Sequence, residues 1–213
     1  VVKAAPELFV NKTDKGYIFS TNINEHANGL LLVKETDTRA KVIKLTARQR
    51  ALLQTIRQIP VVPVTGKDKL LEVLRNIGAH ITVHSDLGGS SGSIKMLEAD
   101  TRICIKLLPL GDTLKAELFV RPFSSVPPYC KPGIGAGNVI GTINGVRYQA
   151  TRDLDKEAAN ARQLITYIQE QVVQEVREDH LIFEDPLDCL HLLEVIKQHP
   201  ELVVAEWPEG ERF

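Results

Sequence analysis

The sequence predicts an α+β fold of antiparallel strands and hairpins, with a helix pair in the N-terminal part and a long helix plus a shorter helix in the C-terminal part. Short aliphatic and β-branched runs, broken by turn residues, predict the strands. Apolar residues at helical spacing predict the helices. At 213 residues, the chain is long enough for one large domain or two small ones.

The composition is that of an ordinary folded chain and excludes several classes of protein. Lys and Arg number 26 against 27 Asp and Glu, which gives a formal net charge of −1, and 43% of the residues are hydrophobic. These values exclude a disordered tail, a coiled-coil rod and a strongly basic nucleic-acid module. Aromatic residues make up 5% of the chain, which argues against a base-stacking platform for single strands. No apolar run approaches the ~20 residues of a membrane-spanning helix, so we expect no membrane partner.

Residues 1–90 are predicted to form a strand-rich part that contains a basic helix pair. The strands are predicted at residues 8–10, 17–23, 29–34 and 41–45. Polar turns such as Asn28-Gly29 separate these short runs, as is typical of hairpins.

Two helices follow these strands. Thr46 begins a Thr-x-x-Gln capping box, in which each side chain bonds an N–H group that the first helical turn leaves unpaired. The second helix is predicted to begin near Lys67 with Thr65 as its cap, and to end at Gly78 in a left-handed turn. A strand over residues 79–84 completes an order that resembles a winged-helix layout, although the seven-residue link between the helices is long for a helix-turn-helix.

A Gly/Ser run at residues 88–93 marks the predicted boundary between two domains, residues 1–90 and residues 91–213. The alternative is that this run is a hairpin tip inside one domain. The second domain is predicted to be an antiparallel meander and a hairpin, followed by two helices and a final strand. The meander strands are predicted at 94–99, 102–108 and 114–121, with a turn at Gly111-Asp112. Asn144-Gly145 predicts a type I′ turn in the hairpin.

The two C-terminal helices have clear start signals. Asp153 is the predicted cap of a helix of roughly 25 residues. Its predicted buried face comprises Leu154, Ala158, Ala161, Ile165, Ile168 and Val172. Asp185-Pro186 opens the shorter helix, because proline is favoured at the first helical position. Its predicted core face comprises Leu190, Leu193 and Ile196, and a last strand covers Leu202–Glu206.

Two glycine-containing segments resemble nucleotide-binding motifs but do not meet their requirements. Gly133-x-Gly135-x-Gly137 precedes a predicted strand, and Asn138 stands where the dinucleotide fingerprint needs its last glycine. Gly66-Lys67 fails as a P-loop, because aspartate follows where a Ser or Thr is needed. We therefore expect no cofactor and no cofactor-binding residue in this chain.

Catalytic and metal-binding constellations are also missing from the sequence. Cys104, Cys130 and Cys189 lie far apart, so neither a disulfide framework nor a zinc site is predicted, and a reducing compartment is expected. The chain has no His-Glu-x-x-His pair. His180 is expected to be a surface histidine. We expect no catalytic residue and no metal ligand, and hence no enzyme activity in this chain alone.

The charges are unevenly distributed. Residues 1–60 carry ten Lys/Arg and five Asp/Glu, a net charge of +5, whereas residues 126–213 carry eight and fifteen, a net charge of −7. Six cations and no acid lie in the segment 39–57: Arg39, Lys41, Lys44, Arg48, Arg50 and Arg57. Such a segment can contact nucleic-acid phosphates or an acidic partner. The alternative is a solvated helix face balanced by the acidic C-terminal third.

Five short motifs follow one another in the C-terminal half of the sequence. They are Val120-Arg121-Pro122, Pro132-Gly133-x-Gly135, Asn144-Gly145, Arg152-Asp153-Leu154-x-x-Glu157 and Trp207-Pro208-Glu209-Gly210. In their order and spacing the chain resembles the accessory region that precedes the motor of bacterial Swi/Snf-type helicase-like ATPases. The resemblance is best over residues 94–213 and looser over the first part.

The resemblance implies a non-catalytic accessory segment that positions a DNA-dependent ATPase motor or its DNA. The family's Walker A lysine, Asp-Glu-x-His box and arginine finger have no matching positions in this sequence. The implied partners are the motor lobes of the same parent chain and the backbone of double-stranded DNA, in a bacterial cytoplasmic protein. The alternative is an independent protein-interaction domain that binds a basic partner through its acidic C-terminal helices.

The residues at the two ends of the chain bear on the expectation that it is a segment of a larger protein. Met96 is the only methionine, and the chain stops at Phe213 just after a predicted strand. These ends indicate a piece of a larger protein, with a mature protein trimmed by processing as the alternative.

Overall fold

The described residues form helices and mixed β-sheets, and the helices pack on the sheets. This architecture confirms the predicted α+β class. The computed structural model describes residues 6–23, 30–34, 40–87, 94–124, 127–172 and 180–207. Contacts divide these residues into two units. The first unit comprises the described residues before Ala99 together with Ala136–Arg152, and the second comprises Ala99–Gly135 and the described residues from Asp153 onward.

The elements follow the chain in this order. The strands are β1 (Glu7–Thr13), β2 (Gly16–Thr21), β3 (Leu30–Lys34), β4 (Ala40–Lys44), β5 (Thr82–Ser85), β6 (Lys95–Glu98), β7 (Ile103–Leu110), β8 (Thr113–Val120), β9 (Asn138–Ile143), β10 (Val146–Thr151), β11 (His180–Phe183) and β12 (Val203–Glu206). The helices are α1 (Ala47–Arg57), α2 (Lys67–Ile77), α3 (Leu154–Gln171) and α4 (Pro186–Gln198), with a 3₁₀ turn at Val64–Gly66.

The first unit is built on a mixed sheet with the strand order β2-β1-β5-β9-β10-β6. The pairs β1–β5 and β10–β6 are parallel, and the other pairs are antiparallel. Strands β3 and β4 form a separate antiparallel ribbon. Asn144 and Gly145 both have positive φ, 50° and 78°, which confirms the predicted type I′ turn between β9 and β10.

Helices α1 and α2 pack on one face of this sheet. Their buried positions share one core with strand residues of the same face: Leu53 and Ile56 of α1, Leu70, Leu71, Leu74 and Ile77 of α2, and Leu8, Val10, Val83 and Ile140 of the sheet. The predicted capping box is confirmed, because Thr46 Oγ1 accepts from the Gln49 N–H at 3.2 Å and Gln49 Oε1 accepts from the Thr46 N–H at 3.0 Å. Val62, in the link between the helices, exchanges two backbone hydrogen bonds with Tyr17. The helix pair therefore lies between β4 and β5 in the chain and is tied to β2 through this link.

Helix α2 begins at Lys67 and is followed by Gly78 as predicted, but both predicted caps are wrong. Thr65 does not cap the helix, because the 3₁₀ turn Val64–Gly66 runs directly into α2 and places Thr65 inside a helical turn. Gly78 has a right-handed conformation with φ of −59°. A Cβ atom at Gly78 would lie 2.8 Å from Ile140 Cγ2, so a glycine is needed there for close packing and not for a left-handed turn.

The second unit is built on a sheet with the strand order β11-β8-β7-β12. Strands β7 and β8 form the predicted hairpin around Gly111, whose φ is 63°. The predicted meander is wrong in one respect, because β6 pairs with β10 in the first unit and not with β7. Between β6 and β7, the Asp100 carboxylate accepts from the Arg102 N–H at 3.0 Å and from its guanidinium, so this connection contains an Asx turn.

The observed units therefore differ from the predicted division at residue 90. Strand β6 and the β9–β10 hairpin, which follow that boundary in the sequence, belong to the sheet of the first unit. Residues 88–93 lie outside the described residues. The first unit is thus formed by two separate stretches of the chain.

The C-terminal helices begin as predicted but differ in length and in their buried faces. Asp153 caps α3 by accepting from the Lys156 N–H at 3.0 Å, and Asp185 caps α4 with proline in the first turn. Helix α3 has 18 residues rather than roughly 25, because Val172 takes an extended conformation; residues 173–179, which the prediction also reached, lie outside the described part. In α4, Leu192 and Val195 are buried and Leu190 is 60% exposed.

Candidate functional site

The basic segment predicted from the sequence forms an exposed surface on the first unit. We call Lys44, Arg48, Arg50 and Arg57 the basic face; all four side chains are exposed. Lys44 ends β4, and the three arginines belong to α1. Of the other two candidates, Arg39 lies outside the described residues, and Lys41 is described only as a backbone position in β4.

The positions of the arginines follow from the packing of α1. Leu53 and Ile56 fix the buried side of the helix, so the remaining arc faces solvent. Arg50 and Arg57 are seven residues apart and therefore lie within ~20° of each other around the helix axis. Helix α1 contains no acidic residue along its whole length. Its solvent side thus carries cations, amides and small side chains.

The basic face has little internal compensation. The Arg57 guanidinium donates to the backbone carbonyl of Ile23. Among the described residues, no ion pair involves Lys44, Arg48 or Arg50. Arg48 lies ~160° from Arg50 around the helix axis, so the arginines are spread over the exposed arc of α1, and their fields add to attract an anionic surface.

A polar network that the sequence analysis did not predict lies in the second unit, on one face of its sheet. The Glu206 carboxylate accepts from the Arg121 guanidinium at 3.2 Å, from the Cys104 thiol at 3.5 Å and from the Tyr129 hydroxyl. The Lys106 ammonium lies 5.7 Å from the centre of the Tyr129 ring. The sequence signal is that Lys106 and Glu206 interrupt otherwise apolar strands, and these two residues are directly paired across β7 and β12.

The Cys104 thiol and the Tyr129 hydroxyl of the network are held in their protonated forms. Burial, with the nearby Glu206 carboxylate, raises the pKa of the Cys104 thiol to about 12, although Arg121 acts in the opposite direction. Burial and the hydrogen bond to Glu206 also raise the pKa of Tyr129. A thiol that is protonated at neutral pH is a poor nucleophile. The half-buried Glu206 carboxylate therefore links β7, β12, the end of β8 and the loop that carries Tyr129.

One backbone donor of the glycine-rich loop is used within the second unit. The Gly133 N–H donates to the Glu157 carboxylate at 3.0 Å, and Glu157 is fully buried on α3. A Cβ at Gly133 would lie 2.6 Å from the Ala158 Cβ, so the loop packs closely on the helix. Gly133 is thus an internal packing and hydrogen-bonding position.

Groupings typical of metal sites and of membrane spans do not occur in the described part of the chain. Within it, no group of three or more His, Cys, Asp and Glu side chains is placed to hold a metal ion. The three cysteines are thiols and form no disulfide with one another. None of the described helices combines the length and the apolar character that crossing a membrane requires. His180 is half-buried at the start of β11 rather than fully on the surface.

Comparison with known proteins gives no relative for this chain. No protein-family model, no curated protein and no solved structure matches it.

Proposed function

We propose that this chain is a non-catalytic accessory segment of a larger Swi/Snf-type DNA-dependent ATPase, and that its basic face contacts the backbone of double-stranded DNA. The observation that supports this most directly is the exposed face of α1, which carries arginines and no acid. In this proposal the motor lobes of the same parent chain are the protein partner. The parent protein is bacterial and cytoplasmic, and ATP hydrolysis belongs to its motor and not to this segment.

The chemistry of the basic face favours phosphate contact over base reading. Arginine and lysine neutralise phosphates and release counterions, which makes binding salt-dependent and independent of sequence. Four exposed cations would give a log–log slope of affinity against salt near −4. With a net charge of −1, the chain alone should bind weakly at physiological salt. The motor lobes would strengthen binding by holding DNA close to the basic face.

The test is a salt-series titration of a labelled DNA duplex with the 213-residue chain and with the full-length parent. The variant Lys44→Glu/Arg48→Glu/Arg50→Glu removes cations that make no ion pair among the described residues. The control Lys156→Glu/Arg162→Glu/Lys197→Glu changes the net charge equally at exposed positions of α3 and α4. We expect the first triple variant to flatten the salt slope and to lower the DNA-stimulated ATPase rate of the parent, while the control retains both.

Two outcomes would contradict the proposal. One is that both triple variants weaken DNA binding equally, since the effect would then be one of net charge alone. The other is that the first variant keeps its melting temperature and leaves the parent's DNA binding and ATPase rate unchanged. In that case the basic face is only solvated surface.

An independent protein-interaction domain is the second candidate, and helix α4 favours it. Leu187 and Leu190 are 56% and 60% exposed on the same side of α4, beside the exposed acids Glu184, Asp185 and Glu194. A basic amphipathic segment would match this combination. The parent reading frame discriminates between the candidates: a Walker A motif encoded downstream of Phe213 supports the accessory segment, and a stop codon soon after Phe213 supports the independent domain.

A further inference from the structure

A cavity of about 360 Å³ lies within the second unit, at the point where β11 begins beside β8. Helix α3 forms one wall and the loop after Cys130 forms another. The lining residues are Glu117, Leu118, Phe119, Lys131, Pro132, Ile134, Ala161, Ile165, His180 and Leu181. Its volume lies in the lower part of the range of ~300–1,000 Å³ that is usual for small-molecule sites.

The interior of the cavity is apolar. Leu118 and Phe119 of β8, Leu181 of β11, and Ala161 and Ile165 of α3 contribute aliphatic and aromatic surface. Ile134 also lines the cavity and is 64% exposed, the most exposed of the large hydrophobic side chains in the described part of the chain. An apolar ligand in the cavity would cover part of the Ile134 side chain and remove that apolar surface from water.

The polar side chains of the lining are one carboxylate, whose charge is offset by a neighbouring lysine, and two donors. The Glu117 carboxylate is held in an ion pair by Lys115, 2.5 Å away. Lys131 and His180 are the other polar side chains of the lining. An ammonium group has three donors, so Lys131 can donate to a ligand in addition to any protein partner. A neutral imidazole at His180 also carries one N–H donor.

We propose that this cavity binds a small molecule with an aliphatic chain or aromatic ring and a terminal carboxylate. The apolar part would occupy the space between β8 and α3, and the carboxylate would accept hydrogen bonds from Lys131 and His180. An ammonium end group would meet the same donors and be disfavoured. This site is independent of the basic face, which belongs to the first unit.

Calorimetric titration of the 213-residue chain with butanoate, hexanoate and octanoate tests the apolar part of the proposal. Affinity should rise about fourfold for each methylene group that enters the cavity. In an isoleucine methyl NMR spectrum, octanoate should shift the signals of Ile134 and Ile165, and not that of Ile140 in the core of the first unit. Octylamine in place of octanoate tests the role of the Lys131 and His180 donors, and we expect octylamine to bind at least tenfold more weakly than octanoate.

Matched variants on α3 locate the site. Ala161→Phe places a ring in the cavity and should abolish octanoate binding without changing the melting temperature greatly. Ala159→Phe is the control, because Ala159 is exposed on the same helix and does not line the cavity. Lys131→Met should weaken octanoate binding at least fivefold and leave octanol binding unchanged.

Three results would overturn the proposal. They are the lack of binding of every alkyl carboxylate at millimolar concentration, equal binding of octanoate by folded Ala161→Phe and by the unmodified chain, and equal affinity for octanoate and octylamine. The last result would reject the carboxylate specificity even if the cavity takes an alkyl chain.

Discussion

The Glu157 carboxylate of α3 accepts a hydrogen bond from the Gly133 N–H at 3.0 Å, which fastens the glycine-rich loop to the first turns of the helix. Glu157 is fully buried, and Gly133 has a φ of 69°. The bond satisfies a loop donor inside the unit, and the positive φ is the backbone conformation that lets Gly133 approach the helix. Packing and this hydrogen bond therefore account for Gly133 in the Gly-rich motif and for Glu157 in the Asp-Leu-x-x-Glu motif.

Gly133→Ala should therefore be strongly destabilising. The new Cβ would meet the Ala158 Cβ at 2.6 Å, and the left-handed conformation disfavours any L side chain. We expect the free energy of unfolding to fall by about 2–5 kcal/mol in urea denaturation. Gly137→Ala is the control, because a methyl group at Gly137 would have nothing within 4 Å and the φ of this residue is not positive. An equal loss for the two variants would contradict this account.

Gly78→Ala tests whether the end of α2 is fixed by packing. Alanine suits the right-handed conformation of this residue, but its Cβ would lie 2.8 Å from Ile140 Cγ2 in the core. We expect a loss of about 1–3 kcal/mol from overpacking. In a double-mutant cycle with Ile140→Ala, the combined loss should be smaller than the sum of the single losses. Strict additivity would show that the two residues do not compete for space.

Separating the chain at residue 90 should leave fragment 1–90 unfolded or molten. Strand β5 pairs with β1 on one side and β9 on the other, and β6 pairs with β10, so the sheet of the first unit needs both pieces. Fragment 1–90, expressed alone, should lack a cooperative thermal transition by circular dichroism, whereas fragment 91–213 should keep the transition of the second unit, whose four strands it contains. Mixing them is the control and should restore a transition. A cooperative transition of fragment 1–90 alone would support the domain boundary predicted from the sequence.

Alkaline pH should destabilise the second unit through Cys104. The thiol has a pKa of about 12 in the folded chain against an ordinary value of 9.0, so between these values the unfolded chain loses a proton that the folded chain retains. The contribution of this group to stability is complete below pH 9 and declines as the pH rises toward 12. Urea denaturation over this range should show a shallower decline for Cys104→Ala than for the unmodified chain. An equally steep decline for Cys104→Ala and for the unmodified chain would contradict this assignment.

The sequence by itself determined the elements whose signals are local. The capping box at Thr46, the Asn144-Gly145 turn and the Asp185-Pro186 helix start each depend on hydrogen bonds and backbone preferences within a few residues. The exposure of Arg48 and Arg50 was also predictable, because an amphipathic helix must bury its leucines and isoleucines.

The tertiary structure alone decided which distant segments meet. The alternating pattern of β6 fits either β7 or β10 as a partner, and only the assembled sheet selects β10. In α4, Leu192 is buried and Leu190 is exposed. Which side of this helix is buried depends on the elements that pack against it, and the local sequence pattern does not specify those elements. The convergence of Cys104, Arg121 and Tyr129 on Glu206, and the cavity beside Ile165, arise from residues far apart in the chain. Local preferences fix which residues form an element, whereas burial and hydrogen bonding across the whole chain fix which elements become neighbours.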